Sequence, residues 1–174
     1  VGIILDGAGH TITGTGTSGV DHDGVRVSGW HVTIKDLTIK NFKNGIYSGD
    51  TDGLTVSGVT IDSASSYAMY ILGLNPSIVT PTDITGNTVK NSNTGIRLFD
   101  IKSDVGSCTS GTIDVFVQSN TIQNVDMGIG LSNSDGACVQ NNTIEDSTNS
   151  IGVTWSHDVT IKNNVITDST SAAI

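Results

Sequence analysis

VTIKDLTIKN at residues 32–41 returns, hardly altered, as VTIKNNVITD at residues 159–168. Aligned outward from this pair, the chain yields four further copies. They are LTVSGVTI (54–61), TDITGNTV (82–89), VFVQSNTI (115–122) and ACVQNNTI (137–144). Successive copies begin 22, 28, 33, 22 and 22 residues apart. A shorter motif keeps step with them: Gly24-Val25, Gly45-Ile46, Gly95-Ile96, Gly128-Ile129 and Ser150-Ile151. A period near 22 residues with two strand-like pieces per repeat is the signature of a solenoid.

Residues alternate within each copy, as a half-buried strand requires. In the last copy Val159, Ile161, Asn164 and Ile166 are expected to face inward, with Thr160 and Lys162 outward. The inward asparagine is the informative one. Asn87, Asn120, Asn142 and Asn164 occupy one position of four consecutive copies. A lone buried amide is costly, but amides stacked one rung apart donate and accept along the axis and satisfy one another. Leu37 and Val59 take the same place in the first two copies, where an aliphatic stack replaces the ladder. The expected architecture is all-β: one parallel β-helix over residues 1–174, with about seven coils of roughly 22 residues and an internal Asn ladder. Seven rungs at about 4.8 Å make a rod about 34 Å long.

Two stretches carry the closest likeness to a known group: IILDGAGHTITGTG (3–16) and GVRVSGWHVTIKDLTIKNFKNGI (24–46). They resemble the right-handed parallel β-helix repeats of the NosD-like, pectin-lyase-like superfamily, and the likeness runs through essentially the whole chain. The resemblance implies the right-handed form of the coil. It does not imply one activity, because that superfamily includes lyases, hydrolases, epimerases, binding modules and surface proteins.

Composition narrows the partners. The net charge is −9, the pI about 4.5, and the eight Lys and Arg residues are scattered, so no basic patch is available for nucleic acid. The longest apolar stretch, residues 68–74, is too short to span a membrane. An acidic, Thr-rich, Lys-poor surface suits an extracellular or cell-surface location.

Two coils run long, with extra residues near 73–82 and 100–112. Extra residues in a solenoid loop out on one face, which serves either as a binding surface or as a neutral loop. Cys108 lies in the second insertion and Cys138 at an outward position of the next coil. A loop folded down its own rod brings them together, so a Cys108–Cys138 disulfide and an oxidising compartment are expected, two free thiols being the alternative. The sequence starts in one strand and stops in another, which predicts a piece of a longer solenoid or a subunit that associates end to end into a fibre.

Several motifs invite a chemical reading. GTGTSG (14–19) matches the dinucleotide fingerprint, but no helical period follows, so it reads as a turn. Asp21, His22 and Asp23, near Arg26, resemble the Asp/His motif of the β-helical alginate epimerases, without the proline of that motif. That resemblance implies proton transfer at a uronate, with Arg97 as a further basic candidate. Asp50 and Asp52 precede Gly53 as in half of a calcium loop, which makes Ca2+ the one candidate ion; no other cofactor is expected. Counted from the Gly-Ile strands, Arg26, Tyr47, Met69 and Arg97 fall at one outward position, with Tyr70 nearby and Trp30 and Trp155 at strand ends. Aromatic and Arg side chains one rung apart can stack on and bond to a polysaccharide laid along the rod. A column of outward threonines (Thr38, Thr60, Thr88, Thr121, Thr143) suits either β-propensity or an ice-like lattice.

The reading that joins these features is a structural or glycan-contacting module without catalysis, partnered by a polysaccharide or cell-surface glycan. The alternative is a uronate lyase or C5-epimerase using Asp21, His22, Asp23, Arg26 or Arg97. Ice binding is a weaker third.

Overall fold

The computed structural model describes residues 2–15, 22–73, 81–102, 108 and 115–174. Each of the first six coils lays a strand on each of three faces, and the seventh on two. The first face is a seven-stranded sheet in the order Ile3–Asp6, Val32–Lys35, Thr55–Ser57, Thr82–Thr85, Val115–Gln118, Ala137–Gln140 and Thr160–Lys162. The second begins with Thr11–Thr13, Thr38–Lys40 and Thr60–Asp62, and the third with Asp23–Trp30, Asn44–Asp52 and Tyr67–Leu72. In the next three coils one long strand turns the corner and serves both faces: Thr88–Phe99, Thr121–Ser132 and Thr143–Thr154. Val165–Thr167 closes the second face. The pairings on all three faces are parallel, and parallel strands joined by crossovers coil right-handedly. This is the all-β, right-handed parallel β-helix expected from the repeat.

The alternation of the sequence becomes an interior. Ile34, Val56, Ile84, Val117 and Val139 stack on the first face, Ile39, Ile61, Val89, Ile122 and Ile144 on the second, and Ile46, Met69, Ile96, Ile129 and Ile151 on the third. None is more than 1 % exposed, so the three stacks form a single core. The close fit extends to backbone. A Cβ at Gly128 would lie 2.4 Å from the Ser150 carbonyl oxygen of the next coil, which explains why a glycine recurs before the inward Ile.

The corners account for the polar half of the motif. Asp36, Gly58, Gly86, Ser119, Asn141 and Asn163 hold the corner between the first and second faces, all with φ between 54° and 63°. Only glycine and short polar side chains adopt this left-handed conformation cheaply. The next residue points inward, so in Asn141-Asn142 and Asn163-Asn164 the first asparagine makes the turn and the second joins the ladder. Asn87 Nδ2 donates to Asn120 Oδ1 at 3.0 Å, Asn120 Nδ2 to Asn142 Oδ1 at 2.9 Å, and Asn142 Nδ2 to Asn164 Oδ1 at 2.9 Å. Each of the three side chains donates its second proton to the carbonyl of the preceding coil: Val56, Ile84 and Val117. Each oxygen also accepts a backbone N–H, from Val59, Asn87 and Asn120 in turn. The amides of Asn87, Asn120 and Asn142 therefore leave no polar atom wanting.

One expectation needs correction. Met69 does not face outward: it lies between Ile46 and Ile96, fully buried. Ala68 takes the place of the glycine in that coil, and a count displaced by one residue puts every side chain on the wrong face. Cys138 holds the expected outward register between Phe116 and Thr160, and its disulfide to Cys108 covers it. In the last coil Val159, Ile161, Asn164 and Ile166 are half-buried. Asp21, most of the GTGTSG turn, and residues 74–80, 103–107 and 109–114 of the insertions lie outside the described residues.

Candidate functional site

The third face carries the least repetitive surface of the rod. Register aligns Arg26, Tyr47, Tyr70, Arg97, Gly130 and Gly152 in one outward column. Beside it runs Asp23, Asn44, Tyr67, Thr94, Met127 and Asn149. Where the two columns are widest in side chain, Asp23, Arg26, Asn44, Tyr47, Tyr67 and Tyr70 join Lys43 and Ser66 around a pocket of about 330 Å³.

Aromatic rings make one wall. Tyr67 and Tyr70 stack with centroids 4.7 Å apart, and Tyr47 meets Tyr70 edge to face at 5.6 Å. The Arg26 guanidinium lies 4.2 Å from the Tyr47 ring centroid, within cation–π range. Polar groups make the opposite wall. Arg26 Nε donates to Asp23 Oδ2 and Asn44 Nδ2 to Asp23 Oδ1, both at 2.8 Å. Burial pushes the Tyr70 phenol above its ordinary pKa, as do Tyr67 and Tyr47, against the opposing charge of Arg97. Tyr70 thus remains a neutral donor and acceptor at physiological pH.

Beyond Tyr70 the column changes character. Arg97 Nη2 donates to Ser132 Oγ at 2.8 Å, and its Nη1 lies 2.9 Å from where a Cβ on Gly130 would stand. The Met127 methyl lies over Gly152 in the same way, at 3.2 Å. Two long side chains therefore lie down on a glycine floor.

The residues named from sequence are distributed unevenly. Arg26, Tyr47 and Tyr70 meet in the pocket. Asp23 joins them, its side chain 6 % exposed, but His22 is exposed and offers its backbone oxygen to Lys43 N. Arg97 stands three rungs from Arg26, about 14 Å along the axis, too far to share one reacting atom with Asp23. Trp30 and Trp155, both strongly exposed, follow the first and last strands of this face and so stand at opposite ends of the rod. Asn44 and Tyr67 were not singled out. Each opens its third-face strand immediately before the Gly or Ala, as Asp23 does, and that shared offset was the available signal.

Asp50 and Asp52 lie on Asn44–Asp52, and among the described residues no group of three or more His, Cys, Asp or Glu could hold an ion. On the second face, Thr11, Thr38, Thr60, Thr88, Thr121 and Thr143 stand in register, but the adjacent column holds Lys40, Asp62, Lys90 and Glu145, so this surface is charged as well as hydroxylated.

Two family models match the chain. One, described as "Right handed beta helix region", covers residues 1–109; the other, "Periplasmic copper-binding protein (NosD)", covers residues 82–174. No curated protein and no solved structure matches. The second description coarsely fits a location outside the cytoplasm. The copper belongs to the description of that family; among the described residues of this chain both cysteines are joined, and no group of three or more His, Cys, Asp or Glu could hold an ion.

Proposed function

This chain belongs to the NosD-like, pectin-lyase-like family of right-handed parallel β-helix proteins, and on that premise we propose that it is a non-catalytic module that holds a glycan against its third face, outside the cytoplasm. The observation that carries the proposal is the cluster of Tyr47, Tyr67 and Tyr70 around a pocket whose other wall is Asp23, Arg26 and Asn44. Sugar rings present apolar C–H faces that pack on aromatic rings, and hydroxyl edges that need fixed polar partners; this pocket offers both. The rung spacing of about 4.8 Å is comparable to the advance of a sugar chain per ring, so a polysaccharide along the axis meets Tyr47, Tyr70 and Arg97 in turn. The Cys108–Cys138 disulfide and the periplasmic description of one matching family favour the location. Separation of Arg97 from Asp23 and His22 favours holding over turnover.

Affinity electrophoresis and calorimetry against a panel of neutral and acidic polysaccharides test this. One or more should retard the protein, and Tyr70→Ala should weaken that interaction about tenfold, the worth of one aromatic packing partner. A wild-type protein that no polysaccharide retards overturns the proposal. Chain cleavage or epimerisation lost in His22→Ala would replace it with the enzymatic alternative.

A further inference from the structure

Resting on the glycan reading above, we infer that the third-face pocket selects an uncharged, hydroxyl-donating sugar residue and discriminates against a uronate. The argument starts from Asn44. This residue is 8 % exposed, and its Oδ1 is buried without a hydrogen-bond partner among the described residues. The amide orientation is not arbitrary. Nδ2 donates to Asp23 Oδ1 at 2.8 Å, and turning the group over would set two acceptors against each other. A buried acceptor left unfilled is costly, and native interiors rarely carry one.

The other polar groups show what is missing. Both oxygens of Asp23 are occupied, one by Arg26 and one by Asn44, so the carboxylate needs no further donor to be held. The charge of Arg26 is compensated by the same contact. The pocket therefore has an acceptor to fill and a buried carboxylate to keep away from other anions. A sugar hydroxyl supplies the donor. A uronate carboxylate supplies only acceptors and brings a second negative charge beside Asp23, in a chain whose net charge is already −9. Asn44 Oδ1 is covered, so the hydroxyl must displace a neighbour to reach it.

Arg97 supplies the competing possibility and the means to separate the two. It is the cation of this column with no carboxylate partner among the described residues, so a uronate would seat its charge there rather than at Asn44. Calorimetry should compare gluco-, manno- and galacto-oligosaccharides with their C6-oxidised uronate counterparts. At least one neutral oligosaccharide should bind tenfold or more tightly than its oxidised form, and Arg97→Gln should leave that preference in place. Asn44→Leu should abolish the preference. Because that variant also removes a bond to Asp23, the unaltered protein should be titrated with deoxy analogues of the best ligand: loss of one particular hydroxyl should cost tenfold or more. Uronates binding as tightly as neutral sugars, with Arg97→Gln removing them, would overturn the inference while leaving the glycan reading intact. Deoxy analogues all binding alike would overturn it too. Failure of every oligosaccharide to bind strikes the underlying reading itself.

Discussion

Two columns run the length of this rod and behave oppositely. The interior one (Leu37, Val59, Asn87, Asn120, Asn142, Asn164) settles into a single residue and repeats it. The exterior one (Arg26, Tyr47, Tyr70, Arg97, Gly130, Gly152) scarcely repeats beyond its glycines. Inside, each side chain must satisfy the identical environment one rung away, and a ladder of amides does so only if every member is present. Outside, water satisfies whatever a neighbour does not, so identity is free to follow function. Repetition in a solenoid therefore marks what the fold requires. The place where an outward column departs into aromatic and charged residues marks a site.

The sharpest way to break the comparison is to remove one amide from the middle of the ladder. Asn120→Ala leaves the backbone and side-chain donors of Asn87, the Ile84 carbonyl and Asn142 Oδ1 each short of a partner, at about 1–3 kcal/mol apiece before relaxation. Urea unfolding should show a loss of about 4 kcal/mol or more. The reverse change, Val59→Asn, extends the ladder toward the aliphatic coils and should cost much less; an equal loss would mean that the ladder is not the source of the difference.

Glycine gives the next contrast. Gly128→Ala drives a Cβ to 2.4 Å from a backbone oxygen and should cost about 2–3 kcal/mol. Gly130→Ala, two residues on but at an outward register, meets side chains alone, the tightest being Arg97 Nη1 at 2.9 Å, and should change stability by less than about 0.5 kcal/mol. Thermal melts of the two variants side by side decide whether inward and outward positions differ as described.

The smallest effect concerns Asp83 on the first face. Burial raises its pKa, opposed by the hydrogen bond from Gln118 Nε2. The folded state therefore holds this proton longer than the unfolded chain does. Its contribution to stability is fully present below the unfolded carboxylate range and is lost as pH rises through the higher folded pKa. Asp83→Asn, which keeps an oxygen for Gln118, should melt slightly higher than wild type near neutral pH, and the two should converge in acid.

Much of this was legible before any coordinates. The six copies and the inward asparagines follow from spacing and alternation, because a two-residue strand period leaves little choice about which side chains face in; between a Cys108–Cys138 bridge and two free thiols, the structure decided for the bridge. The site was legible only in part. Arg26, Tyr47 and Arg97 could be aligned by counting from Gly-Ile, and the count slipped at Met69, where Ala68 replaces the glycine and Tyr70 holds the outward place. Asn44 and Tyr67 escaped because they sit just before that landmark, at the mouth of a corner whose geometry no motif announces.

The sequence by itself determined the coil, its period and its interior, since buried positions answer to a local alternation that any reader of the chain can follow. Only the tertiary structure decided that Asn44 reaches back 21 residues to Asp23 and that the Arg26 guanidinium rests on Tyr47 while Arg97 lies down on Gly130. Those contacts link residues a whole coil or more apart, on a surface where water tolerates many arrangements, and the winding of the rod selects one.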